Sequence, residues 1–252
     1  MNLISVVIIT FNEERNIKRC LESIVGVADE IVVIDSFSTD RTKEICNNYN
    51  VNFIETEWKG YAASKNFGNN ITSYDYILSL DADEEFSEEL KKSILKEKEN
   101  GLSGTYSFNR LTNYCGSLIR HSGWYPDEKI RIFPKEFSKW TGEYVHEELS
   151  FSKLLKNKHL KGDLLHYSYS NSKEHRERAD KYSVLTAQKM HNENKKASIL
   201  KPYLSAIARF ISMYIFKLGF LDGIAGLKIA YISAQSNIVK YKTLITLNKS
   251  IK

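Results

Sequence analysis

The chain has 252 residues, 42% of them hydrophobic and 27% charged, with a formal net charge of +5. That is enough to bury a sizeable core, in one domain with an extension or in two small ones. The composition is ordinary for a soluble globular protein, and so mild a positive balance does not indicate nucleic-acid binding.

Three cysteines, Cys20, Cys46 and Cys115, form no CxxC pair. Their odd number argues against a disulfide scaffold and for a reducing compartment. The chain enters an apolar strand at once, and FNEER (residues 11–15) interrupts it too early for a secretory core. No uninterrupted apolar run of about 18 residues exists, so a simple membrane span is not expected.

The elements follow in chain order. SVVIIT (5–10) is a short β-branched run, the mark of a strand covered on both faces. Ile17, Leu21 and Ile24 recur at helical spacing. EIVVIDS (30–36) predicts a second strand. Residues 40–45 open a helix with acid at its N-terminus, where the helix dipole favours it. Cys20 and Cys46 fall on helix faces, where burial is their ordinary fate. VNFIETE (51–57) predicts a third strand, residues 61–70 a short helix, and YILSL (76–80) a fourth strand. Ser87 then caps another helix. Alternation of this length implies a mostly parallel sheet with helices on both faces. Ligands bind such sheets beyond the carboxyl ends of the strands. Three strands here end in polar motifs, TFNEE (10–14), DSFSTD (35–40) and DAD (81–83), which would meet at one edge.

From about Gly101 the pattern changes. TYSFNRL, KIRIF, EYVHEEL and LLHYSY read as strands of an antiparallel or mixed region. No clean linker precedes them, so this half is expected to extend the same sheet. Residues 172–194 are charged and helical. From Ile199 onward come two apolar helical stretches, broken at GFLDG (219–223).

The carboxylates of YILSLDADEEF (76–86) require an explanation. Glu84 and Glu85 fit the acidic start of a helix. Asp81 and Asp83, leaving a strand at i and i+2, point the same way. They repel unless a cation sits near them. Hard oxygen ligands suit magnesium or manganese, which in turn hold substrate phosphates. An EF-hand would need Gly and Glu where Phe86 and Lys92 stand. A haloacid-dehalogenase-like phosphatase would carry DxDxT after its first strand, and a sugar-phosphate nucleotidyltransferase a Gly-rich loop where TFNEE stands. Neither GxGxxG nor GxxxxGK[ST] occurs.

In order and spacing, SVVIITFNEERNIKRCLESI, EIVVIDSFSTDRT and YILSLDADEE resemble glycosyltransferase family 2 with its GT-A fold. AASKNFG, KIRIF, VHEEL, LLHYSY and GFLDGIAG are similar to the bacterial lipopolysaccharide inner-core β-1,4-glucosyltransferase branch. The likeness is strong through about Tyr169 and looser beyond. It implies an α/β, Rossmann-like, mostly parallel sheet flanked by helices. A catalytic domain would span residues 1–172, with a donor half at 1–100 and an acceptor half at 101–172. A helical extension would occupy 173–252.

The resemblance also implies a UDP-sugar donor and a Mg2+ or Mn2+ ion. Thr10, Asn12 and Glu13 would line the nucleoside pocket, and Asp35 would accept from the uracil or ribose. A helix-start acid and a turn residue are the alternatives for Glu13 and Asp35. Lys65 would lie near the donor phosphates, unless it is simply solvated. Asp81 would face the ribose, or the metal through water, and Asp83 would bind the metal directly. Glu147 is the implied catalytic base. Strand alternation points His146 and Glu148 one way and Glu147 the other; Glu148 competes for the role, and a solvated strand edge is the plain alternative. His166 is either a core histidine or a ligand returning to the metal. His121, Trp124, Asp127, Lys129 and Arg131 surround Gly123 and Pro126, so Trp124 and Arg131 are candidate acceptor contacts, or part of a packed loop.

The implied chemistry is a single inverting displacement onto an acceptor hydroxyl, with no covalent sugar–enzyme intermediate. The implied acceptor is a lipid-linked saccharide such as lipopolysaccharide inner core, and the implied sugar is glucose. A capsule or glycoprotein glycan acceptor, or a non-catalytic nucleotide-sugar-binding protein, is the alternative. Leu200, Leu204, Ile207, Ile211, Tyr214 and Leu218 recur at helical intervals among Lys201, Arg209 and Lys217. Apolar helices edged with lysine suit an in-plane helix on an anionic leaflet. They equally suit a helical pair packed on the catalytic domain or on another subunit. The implied acceptor favours the membrane surface, on the inner face of the bacterial cytoplasmic membrane.

Overall fold

A computed structural model describes residues 2–142 and 147–249. They fall into two compact units, Met1–Arg110 with Asp127–His166, and Leu111–Pro126 with Tyr167–Lys252.

The first unit is built on β1 (Ile4–Thr10), all seven residues of which are buried. This is what a run of β-branched residues covered on both faces requires. Helix α1 (Ile17–Ile24) buries Ile17, Cys20, Leu21 and Ile24, the stripe its spacing predicts. Then come β2 (Glu30–Asp35), α2 (Thr42–Cys46), β3 (Asn52–Glu55), α3 (Tyr61–Ile71) and β4 (Tyr76–Asp81). β2 and β4 flank β1 in parallel, and β3 adds to β2. The register sets Thr10 beside Asp35 and Ile9 beside Asp81, so the three polar strand ends lie at one edge as expected.

After β4 the chain does not cross over. Ala82 and Asp83 form a turn into β5 (Glu84–Phe86). Helix α4 (Glu88–Asn100) follows; the Ser87 hydroxyl accepts from the Leu90 amide at 3.3 Å, the expected cap. The remaining strands are β6 (Thr105–Tyr114), β7 (Ser117–Leu118), β8 (Glu128–Pro134), β9 (Ser138–Thr141), β10 (Glu148–Phe151) and β11 (Asn157–Tyr169). The sheet order is β3-β2-β1-β4-β8-β6-β11-β5, with β7 on β6, so the second half does extend the same sheet. β8 runs antiparallel to β4, and β5 antiparallel to β11. The mixed sheet flanked by helices is the GT-A arrangement. Two residues separate β4 from β5, yet β5 lies four places along the strand order, so the sheet curls round to bring its far edge back to the end of β4. β9 and β10 form a separate hairpin. Of the predicted strand EYVHEEL, residues 143–146 lie outside the described residues. β10 begins at Glu148, so Glu147 precedes it.

In the second unit, α5 (Ser172–Asn192) is capped by Asn171, whose side chain accepts from the Glu174 amide at 3.0 Å. Helix α6 (Lys201–Ile211) runs into a π turn over Ser212–Phe216, and a 3₁₀ turn over Gly219–Asp222 leads to α7 (Gly223–Lys249). The predicted break is present, and Gly219 within it is steric, since a Cβ there would meet the Met213 carbonyl oxygen at 2.7 Å; just beyond it, a Cβ on Gly226 would stand 1.9 Å from the Gly219 carbonyl oxygen. Asp222 accepts from the amides of Arg120 and His121 and pairs with His121 Nδ1 at 2.9 Å. Tyr114, Ile119, Met213, Ile229 and Ala230 form a small core beside Trp124 and Tyr169. No single described helix is long and apolar enough to cross a membrane. Lys201–Phe216 and Gly219–Lys249 together have the length and composition, but they are bent by 73°.

Two stability predictions follow from these contacts. Gly162 in β11 has φ +98°, and a Cβ there would meet the Leu90 backbone nitrogen at 2.2 Å. Gly162→Ala should therefore cost about 3 kcal/mol, read from urea unfolding, because neither backbone can yield. In the second unit, His175 is buried among Tyr114, Trp124 and Tyr169. Burial, helped by Arg178, pushes its pKa down to about 4. Below about pH 6.5 the unfolded chain takes up a proton that the folded one refuses. Its contribution to stability should be complete above pH 6.5 and decline as pH falls toward 4. His175→Phe should flatten that part of a Tm-against-pH curve.

Candidate active site

The strand-end loops are tied to each other before any ligand is considered. Asp35 is buried and accepts from the Ser38 amide at 2.7 Å and from the Ser38 hydroxyl. That is the bonding of a turn-forming aspartate. Asn12 adopts φ 55°, which asparagine tolerates; its Oδ1 accepts from the Thr39 amide at 2.7 Å and its own amide donates to Ser38 Oγ at 2.8 Å. The Glu13 amide donates to Thr42 Oγ1, and its carboxylate accepts from Asn16 at the start of α1. Thr10 Oγ1 is buried without a hydrogen-bond partner.

Lys65 is not solvated. It is 1% exposed, with Nζ 3.1 Å from Asp81 Oδ1, 3.1 Å from Glu147 Oε1, and 4.6 Å from the centre of the Trp140 ring. The neighbouring Asn66 explains why. Its side-chain amide donates to the Trp140 carbonyl at 2.8 Å and accepts from the Trp140 amide at 3.0 Å, which fastens α3 to β9.

Arg131, expected at the acceptor, lies instead among carboxylates. It is 4% exposed, with Nη2 3.1 Å from Asp81 Oδ2 and a closer ion pair to Glu84 Oε1. Glu84 Oε2 accepts from the Asp81 amide at 2.9 Å, and Arg110 approaches Glu84 at 3.9 Å. Burial alone would raise the Asp81 pKa, but Lys65 and Arg131 outweigh it and hold the carboxyl well below the usual range. Burial keeps Glu84 above its ordinary value despite Arg131.

Glu84 is the residue that sequence reasoning misread. It is not a solvated helix-start acid but an inward residue of β5. Its alternation with buried Phe86 was the signal, and Glu85 between them reaches Arg19 at 3.7 Å.

Asp83 occupies the turn after β4. The pairing of β5 with β11 sets His166 opposite Glu84 and brings its Nε2 to 3.2 Å from Asp83 Oδ2. The resemblance named both residues as metal ligands, and the structure brings their side chains together. Among the described residues no group of three or more His, Cys, Asp or Glu is arranged to hold a metal ion. The Asp83–His166 pair nevertheless fits Mg2+ or Mn2+. One carboxylate and one imidazole, both partly exposed, leave positions for substrate phosphates and water. Trp124 packs edge-on to Tyr114 and His175 within the second unit, so the packed-loop alternative describes its surroundings.

A strand edge furnished with a largely buried cation–carboxylate network that ends in the Lys65-paired carboxylate of Glu147, and with a separate Asp–His pair, is suited to holding a charged donor beside a carboxylate. The model of glycosyl transferase family 2 matches residues 5–163, and the chain belongs to that family. An uncharacterized glycosyltransferase of Rickettsia typhi is 28% identical over 236 residues, covering 90% of this chain and 81% of that protein. The lipopolysaccharide core biosynthesis glycosyltransferase LpsC of Rhizobium meliloti is 25% identical over 246 residues, covering 92% and 90%. Among solved structures, S. aureus TarS 1–349 is similar with a TM-score of 0.46 at 15% identity over 99% of this chain and 92% of that one, a likeness of fold.

Arg131 should be more than a surface cation. Arg131→Met leaves the buried Glu84 and the partly buried Asp81 without their shared partner and should cost about 3–5 kcal/mol in urea unfolding. Adding Glu84→Gln should restore a large part of that loss. Wild-type stability for the single variant would show that the guanidinium does not hold the pair.

Proposed function

We propose that the protein is an inverting, metal-dependent glycosyltransferase. It would move a hexose, glucose by preference, from a UDP-sugar to a hydroxyl of a lipid-linked saccharide such as lipopolysaccharide inner core. The observation that carries the reading is the Asp81–Lys65–Glu147 chain beside the Asp83–His166 pair. The LpsC relative supports the acceptor class, since its name assigns it to lipopolysaccharide core biosynthesis. Such an acceptor is met at the cytoplasmic face of the bacterial cytoplasmic membrane.

In this reading the nucleoside lies over the ends of β1 and β2. Thr10 offers its unpartnered hydroxyl, and Asn12, Glu13 and Asp35 shape the pocket through the loop bonds they make. Asp83 and His166 would hold Mg2+ or Mn2+, which would supply positive charge to offset the negative charge that gathers on the departing diphosphate. Asp81, fixed between Lys65 and Arg131, faces the ribose. Arg131 acts through Asp81 as a positioning residue. Glu147 accepts the proton of the acceptor hydroxyl as that oxygen bonds to the anomeric carbon and the bond to the diphosphate breaks. One displacement inverts the centre, so an α-linked donor yields a β-glycoside. Lys65 holds the base in register with the donor-side carboxylate, which fixes the geometry on which such a transfer depends.

Calorimetric titration with a panel of nucleotide-sugars, with MgCl2 or MnCl2 and then EDTA, tests this directly. One UDP-sugar should bind only with metal, and Asp83→Ala should abolish that binding. Glu147→Gln should still bind donor while transfer falls about 10³-fold. Binding indifferent to metal and to Asp83 would sink the mechanism, and full activity of Glu147→Gln would remove the base.

A further inference from the structure

The helical unit turns its large side chains outward. Leu200, Leu204, Ile207, Ile211 and Ile215 recur every three or four residues and are between 41% and 66% exposed. The buried positions of α6 are Pro202 and Ala206, whereas α7 buries Gly226, Ile229, Ala230, Ile232, Ala234 and Leu244, small and large alike. A helix built for water hides its large residues, and α6 does the reverse. At the break the pattern is strongest, with Phe216 78% and Ile224 73% exposed beside Phe220 and Leu221.

Charge decides between possible occupants of this face. Residues 111–126 and 167–252 carry 16 Lys and Arg against 5 Asp and Glu, a formal +11, whereas the rest of the chain carries 20 against 26, a formal −6. Lys201, Arg209, Lys217 and Lys228 are exposed among the apolar residues. Lys173, Arg176, Lys228 and Tyr231 line a groove of about 330 Å³ between α5 and α7. A symmetric pairing of two copies through this face would set +11 against +11. An anionic leaflet would neutralise it. The 73° bend, and the absence of a described helix able to cross alone, favour an in-plane attitude over a span.

We propose that this unit docks on a bilayer rich in anionic lipid. The α6 stripe and the apolar side chains at the break enter the interfacial layer, and the lysines and the α5–α7 groove take lipid phosphates. The proposal rests on the helical unit alone and uses no residue of the donor site, so it can fail while the catalytic reading stands, and the reverse.

The test is flotation of the full chain with phosphatidylcholine vesicles and with vesicles in which about one-third of the lipid is phosphatidylglycerol. Binding to the anionic vesicles should be at least about tenfold tighter, and added salt should weaken it. Leu204→Asp/Phe216→Asp/Ile224→Asp should abolish flotation while leaving the thermal unfolding curve in place, since all three positions are exposed. Arg176→Glu/Lys228→Glu should reduce binding to the anionic vesicles only. Failure to float with either vesicle would overturn the proposal, as would unchanged flotation of the triple variant. A dimer in light scattering that the triple variant splits, without vesicle binding, would assign the face to a second copy instead.

Discussion

Two buried cations, a buried carboxylate and a partly buried one hold this site together. Lys65 and Arg131 face Asp81, whose side chain is 27% exposed, and Arg131 also faces the buried Glu84. Charges so placed are tolerable only in balance, because removal of any one strands another without solvent. Each comes from a different element: Lys65 from α3, Asp81 from β4, Glu84 from β5 and Arg131 from β8. Their neutrality therefore demands the strand order. β8 must lie against β4 to deliver the guanidinium, and the sheet must curl for β5 to return its glutamate to the end of β4.

That constraint divides the work of the DAD turn. Both oxygens of Asp81 are already engaged by Lys65 and Arg131. Asp83, two residues on and within the turn, pairs instead with His166. A doubly paired carboxylate is a poor ligand, since binding a metal would mean giving up cations it already holds. The aspartate held by the network and the aspartate proposed as the metal ligand are thus set apart by one residue. Lys65 then carries the order of the network outward to Glu147, the point at which it reaches the surface.

The sequence made some of this legible and not the rest. Strands β1, β2 and β4, the α1 stripe and the Ser87 cap were readable because each is set by neighbours within a few residues. The meeting of the three strand ends followed from the parallel alternation, and that of Asp83 with His166 from the family resemblance. Lys65, Glu84 and Arg131 were not readable as a set. Lys65 stands 16 residues before Asp81, and Arg131 lies 50 residues beyond it. No local pattern reports that a lysine in a helix and an arginine near a proline turn both point at one carboxylate. Glu84 was hidden by position, directly after a turn and three residues before a helix cap, where an acid has an ordinary explanation.

The C-terminal helices show a different limit. Helical spacing of Leu200, Leu204, Ile207 and Ile211 establishes a stripe, but periodicity is the same whether the stripe faces in or out. Exposure breaks the tie: these four residues are 41–66% exposed, while the buried positions of α6 are Pro202 and Ala206. Gly226 on α7 permits a close backbone approach, since a Cβ there would stand 1.9 Å from the Gly219 carbonyl oxygen. An outward apolar face is costly in water, so whatever covers it is part of the folded state's free energy. A formal +11 beside that face, against −6 in the rest of the chain, is the charge an anionic covering surface would complement.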